Sequence, residues 1–101
     1  MYNNEKIGVG IITYNRPEKF IRLYNQVASV DDVDLIVVVK NKDVDYGIND
    51  PKNISNDKLR YFNILGDVGV GKCKNQALQS MLDEECQHIF LIEDDVIIKD
   101  N

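Results

Sequence analysis

An apolar run that ends in three carboxylates leaves a chain few ways to fold. Ile89-Phe90-Leu91-Ile92 leads directly into Glu93-Asp94-Asp95. Such a run reads as a buried strand that delivers carboxylates at its C-terminal end. In open α/β sheets, ligands bind in the crevice outside those carboxyl ends. Three adjacent carboxylates repel one another, and a hard divalent cation such as Mg2+ or Mn2+ relieves that repulsion while also binding phosphate. A buried strand that ends in a solvated acidic turn fits the same residues.

The remainder of the chain alternates strand and helix signals. Ile7 to Tyr14 (IGVGIITY) is an uncharged β-rich run fit for a central strand, and its two glycines suit close backbone approach. Asn15-Arg16-Pro17 stops it, and Pro17 sits where a helix can begin. Phe20, Leu23, Tyr24 and Val27 then recur at spacings of three and four, which predicts an amphipathic helix. Leu35 to Val39 (LIVVV) reads as a second, fully apolar strand. Residues 41–58 are rich in Asn, Asp and Lys without a sustained period, which predicts a long surface loop with at most a short helical turn. Arg60 to Leu65 is a third strand, Gly66 to Gly71 a glycine-punctuated turn, and Lys72 to Leu82 a second long helix that carries Cys73, Ala77 and Met81 on one stripe. Val96-Ile97-Ile98 suits a short further strand. The order β-α-β-loop-β-α-β predicts an α/β, Rossmann-like, mostly parallel sheet with right-handed crossovers and helices on both faces.

Composition removes several classes of function. A chain of 101 residues that is 44% hydrophobic supports one modest core. Seventeen acidic against twelve basic residues give a net charge of -5, which argues against a nucleic-acid binder that neutralises phosphates. No run is long enough to span a bilayer, and the N-terminal residues do not resemble a signal peptide. The expected address is the cytoplasm, or the cytoplasmic face of a membrane. Cys73 and Cys86 lack metal-ligand spacing and read as small buried hydrophobes. His88, at a strand entrance, reads as a packing or turn residue.

Two motif readings use the same residues. Gly66-Asp67-Val68-Gly69-Val70-Gly71-Lys72 fits GxxxxGK after a strand and before a helix, so its backbone N–H groups would cradle phosphates, as in a P-loop nucleotide hydrolase. Position 73 is Cys, however, where that motif needs a Ser or Thr hydroxyl for Mg2+, and residues 7–17 receive no role.

The second reading engages the whole chain. Ile12-Thr13-Tyr14-Asn15-Arg16-Pro17 resembles the opening of family 2 and related glycosyltransferases of the GT-A fold, where a strand ending in T-x-N-R-P precedes a helix. In that family a segment N-x-G-x-x-x-A-R-N follows, then a strand ending in a D-x-D-type acidic motif. Asp67 to Asn75 falls on the middle segment with the same spacing: Gly69 and Asn75 match, while Asp67, Cys73 and Lys74 are substitutions. Glu93-Asp94-Asp95 falls on the acidic motif, with Glu for its first Asp.

The resemblance implies one GT-A-like nucleotide-sugar-binding domain over residues 1–101, truncated after the metal motif. It implies that Thr13, Tyr14, Asn15 and Arg16 line the donor nucleotide, that Asp43 is the candidate to read the base, and that Lys74 and Asn75 face the nucleotide sugar. Lys72 is a further candidate for the diphosphate, and also reads as a helix-surface lysine. Glu93 and Asp95 are the implied ligands of Mn2+ or Mg2+, with Asp94 reaching the ribose or the sugar. The implied reaction is transfer from a UDP-sugar to an unidentified acceptor, in which cation and lysine stabilise the diphosphate leaving group. In the family the acceptor site and the catalytic carboxylate come from sequence beyond the acidic motif, so no residue here is assigned as the base. A non-catalytic nucleotide-binding or assembly module therefore stands as the alternative. An uncovered sheet edge would favour self-association.

Overall fold

The computed structural model describes Met1 and residues 3–41, 44–64 and 70–94, with backbone only for Val70. Its core is one sheet of four parallel strands in the order β3-β2-β1-β4. The strands are β1 (Ile7–Thr13), β2 (Leu35–Lys40), β3 (Leu59–Asn63) and β4 (His88–Glu93), and the two long helices are α1 (Pro17–Ala28) and α2 (Val70–Asp83).

The central pair has the sequences best suited to burial on both faces. Every residue of β2 and all but the first of β1 are buried, as the apolar residues 35–39 and the uncharged β1 favour, while the buried charge of Lys40 at the end of β2 needs a partner. The side-chain period of two then divides the core into two layers. On one face Val9, Ile11, Ile36 and Val38 meet Phe20, Leu23, Tyr24 and Val27 of α1. On the other, Ile12, Leu35, Val37 and Val39 meet Cys73, Ala77 and Met81 of α2. The chain steps from β1 to β2 to β3 in one direction and returns across the sheet to β4. Crossovers of constant hand therefore place α1 and α2 on opposite faces, as observed.

Pro17 occupies the first turn of α1, where its missing N–H has no helical acceptor to lose. The glycines of β1 set the distance to α2. A Cβ at Gly8 would lie 2.8 Å from Cys86 Sγ and 2.9 Å from Met81 Sδ. At Gly10 it would meet Leu91 Cδ2 at 2.8 Å and Ala77 Cβ at 3.1 Å.

Three expectations change. The acidic-ended strand is an outer strand rather than a buried one: among the described residues β4 pairs only with β1, and Phe90 and Leu91 are exposed. The third strand lies at the opposite edge and is shifted to Leu59–Asn63, with Arg60, Tyr61 and Asn63 exposed. The segment after β2 is anchored rather than a simple surface loop. It forms two 3-10 turns, Gly47–Asn49 and Pro51–Asn53, and buries Tyr46, Asp50 and Pro51. Val96 to Ile98 lie outside the described residues. Among the described residues no helix is long and apolar enough to cross a membrane.

Candidate functional site

The carboxyl ends of β1, β2 and β4 are brought level by their register: Thr13 stands opposite Lys40, and Ile12 opposite Glu93. Chain direction across the sheet reverses between β1 and β4, and open α/β sheets bind ligands outside the carboxyl ends at such a point. Four residues from three separate segments meet there.

Asp94 is the hub. It is 1% exposed, and its Oδ2 accepts hydrogen bonds from Thr13 Oγ1 at 2.8 Å and from the Tyr14 N–H at 3.3 Å. Its Oδ1 pairs with Arg16 Nη1 at 2.8 Å. Thr13 gives its single hydroxyl proton to Asp94, so the neighbouring Tyr46 hydroxyl, 2.8 Å away, donates to Thr13 Oγ1. The same Tyr46 oxygen accepts the Arg16 N–H at 3.3 Å. The result is a directed chain from the Arg16 backbone through Tyr46 and Thr13 to Asp94. A buried carboxylate requires this degree of satisfaction.

The β1–α1 turn that carries these residues is tight. Asn15 has φ of 48°, in the left-handed region that Asn tolerates better than most side chains. Arg16 takes the N-cap position of α1 without a side-chain cap, and its side chain remains 43% exposed beyond the Asp94 contact. It borders an open cleft of about 430 Å3 with Pro17, Glu18 and Lys19.

A second ion pair, buried on both sides, supports the first. Lys40 Nζ lies 2.7 Å from Asp50 Oδ2, with both side chains at most 2% exposed. The Lys40 ammonium also sits 4.8 Å from the centre of the Tyr46 ring. Asp50 accepts the Tyr46 N–H at 3.0 Å and caps the following 3-10 turn through the Lys52 N–H at 3.2 Å. Burial alone would raise the Asp50 carboxyl. Hydrogen bonds from Lys40, Tyr46 and Lys52, with the Lys40 charge, outweigh burial and hold it below its ordinary value. The buried Oδ1 of Asn41, next in sequence to Lys40, has no hydrogen-bond partner among the described residues.

The sequence-derived residues therefore divide into groups. Thr13, Tyr14, Arg16 and Asp94 are gathered together, with Asn15 exposed in the same turn. Lys74 instead lies 3.7 Å from Glu93, on the α2 side of the sheet. Lys72 and Asn75 line a different open cleft with Ile64, Gln76 and Gln79. Helical geometry separates them: positions 72, 75, 76 and 79 share one face, and position 74 is turned away from it. Asp43, Asp95 and residues 65–69 lie outside the described residues, and with them the glycine turn and one implied metal ligand.

The cation has little support among the described residues. No group of three His, Cys, Asp or Glu side chains is gathered there to hold one. Glu93 faces Lys74 of α2, whereas Asp94 faces Arg16 of the β1–α1 turn, so the two carboxylates have different partners.

Sequence reasoning missed Tyr46, Lys40 and Asp50. Asp50-Pro51 is a capping residue before a proline, which signals a turn but not its burial. Lys40 follows an apolar strand, where a charge reads as a strand end. No protein-family model, curated protein or solved structure matches the chain.

Proposed function

We propose that this chain binds the nucleoside-diphosphate part of a nucleotide sugar, a UDP-sugar in the first instance, and is the donor-binding portion of a cytoplasmic glycosyltransferase with a Rossmann-like, GT-A-type sheet. One observation carries the reading. Thr13 and Arg16 from the first motif and Asp94 from the last are about eighty positions apart, yet they form one hydrogen-bonded cluster at the carboxyl ends of β1 and β4. A fold with no ligand to hold gains little from burying a carboxylate there.

The residues divide the work by chemistry. Arg16 offers the outward edge of its guanidinium to phosphate, a geometry suited to two parallel hydrogen bonds. Asp94 holds that guanidinium from behind, and Tyr14 and Asn15 border the same turn. Lys72 and Asn75 belong to the separate cleft on α2, and Lys74 is paired with Glu93. Mn2+ or Mg2+ at Glu93 and Asp95 is part of the proposal, and a bound cation would neutralise the diphosphate. The exposed Phe90 and Leu91 on β4 are where self-association would be sought.

Calorimetric titration with UDP, GDP and ATP, each without metal and with Mn2+ or Mg2+, tests the reading. Binding that prefers UDP and strengthens with Mn2+ is the expected result. Preference for ATP with Mg2+ would move the site to Lys72 and the glycine turn. No binding to any nucleotide overturns the reading. Where UDP binds, incubation with UDP-sugars and a panel of acceptors separates a transferase from a binding or assembly module: absence of both transfer and donor hydrolysis leaves the module.

A further inference from the structure

We propose that Tyr46 is a positioning residue for nucleotide binding, whose hydroxyl fixes the β1–α1 turn so that Arg16 presents its free guanidinium edge to a diphosphate. This inference rests on the nucleotide-binding reading above. Tyr46 belongs to neither motif and lies in a segment whose composition reads as loop.

Two backbone N–H groups of the turn are tethered to other segments, and the Arg16 side chain adds a third contact through Asp94. The Tyr14 N–H is held by Asp94 and the Arg16 N–H by the Tyr46 hydroxyl. With Asn15 in the left-handed region between them, release of either tether frees the backbone that aims Arg16. The guanidinium is held at one nitrogen by Asp94, so the direction of its remaining N–H donors depends jointly on that contact and on where the backbone at Arg16 is held. Tyr46 can set that direction because it is itself immobilised. Its ring packs 5.9 Å from Phe20 and carries the Lys40 ammonium on its face, and its N–H is bonded to Asp50. The buried Lys40–Asp50 pair is thereby the foundation of the anion-contacting residue, two contacts removed from any ligand. An arginine aimed in advance loses less freedom on binding.

Substitution Tyr46→Phe keeps the ring and its packing and removes only the hydroxyl. The Arg16 N–H loses its acceptor, and Thr13 loses its donor while still bonding Asp94. UDP and uridine serve as paired probes by calorimetry in Mn2+, with circular dichroism to establish that the variant is folded. The expected result is roughly fivefold weaker UDP binding, the loss of about one hydrogen bond, with uridine binding unchanged. A purely structural role would lower both affinities together, and that outcome overturns the inference, as does an unchanged UDP affinity. The Arg16 guanidinium resonances give a readout without ligand, and should broaden or merge in the variant. If the native chain binds no nucleotide, the functional reading falls. The positioning role is then decided by those resonances alone, and their persistence in Tyr46→Phe overturns it.

Discussion

The two faces of the sheet solve different problems with the same strands. The α2 face is apolar and close-packed: Gly8 and Gly10 let Met81, Ala77 and Cys86 approach the backbone of β1. Burial there pushes both thiols, Cys73 and Cys86, above their ordinary values, which suits packing rather than reactivity. The α1 face begins as an ordinary aliphatic and aromatic layer and ends, at the carboxyl edge, in two ion pairs joined through Tyr46, one fully buried and one between the buried Asp94 and the half-exposed Arg16. Apolar packing stabilises without fixing direction, whereas hydrogen-bonded charges fix direction at a desolvation cost. The molecule keeps the second device for the end of the sheet where a ligand is expected.

The largest test of that contrast is Lys40→Met. It leaves the Asp50 carboxylate buried beside an apolar side chain, and loss of one partner of a buried pair costs about 3–5 kcal/mol. Urea denaturation should show a loss of that size. The double variant Lys40→Met/Asp50→Leu should recover only part of it, because the Tyr46 and Lys52 N–H groups then lack their acceptor. Acid sharpens the point. The folded Asp50 carboxyl is held below its unfolded value, so its contribution is complete above about pH 4 and is lost as pH falls through the lower, folded value. Asp50→Asn should therefore lack this acid-dependent loss. A variant whose stability falls with acid as steeply as the native chain would show that the pair is not the device described.

On the α2 face the matching test is Gly10→Val. Leu91 and Met81 can move their side-chain ends, but the Ala77 Cβ is fixed to its helix and stands 3.1 Å from a Cβ at this position. Overpacking of this kind costs about 1–3 kcal/mol. The change should lower stability without altering nucleotide affinity, provided the two faces are independent. Coupled losses would mean that α2 helps to hold the β1–α1 turn.

The legibility of the sequence follows the same division. Period and punctuation found β1, β2, both helices and the element order, because apolar layers are written as local patterns. They also found the α2 stripe of Cys73, Ala77 and Met81, and the reason for two glycines in a strand. The polar cluster was half legible. Thr13, Arg16 and Asp94 stand at strand ends, where motif comparison looks, whereas Tyr46, Lys40 and Asp50 belong to it only through tertiary contact. No local pattern distinguishes a lysine that turns into the core from one that turns to solvent. The exposure of β4 was hidden for a related reason: its sequence is as apolar as that of a central strand, and neighbours alone decide which it is.

The smallest test lies where α2 ends. Glu85 has φ of 65°, and its N–H bonds to the Leu82 carbonyl while the Cys86 N–H reaches back to Met81. These paired bonds form a Schellman closure, in which the left-handed position is usually glycine. Lys6 Nζ donates to the nearby Glu84 carbonyl at 2.8 Å, so the helix end keeps a cation that its run of carboxylates lacks. Glu85→Gly removes the steric penalty of a side chain in the left-handed region and one acidic charge at a helix C-terminus. The loss of unfolded-chain restriction opposes both, and the net expectation is a gain of about 1 kcal/mol in thermal or denaturant unfolding. The turn delivers Cys86 beneath Gly8, so the gain should appear with nucleotide affinity and the Arg16 resonances unchanged. A destabilised Glu85→Gly would mean that the Glu85 side chain makes a compensating contribution at this turn, and that the α2 face is held by more than close approach.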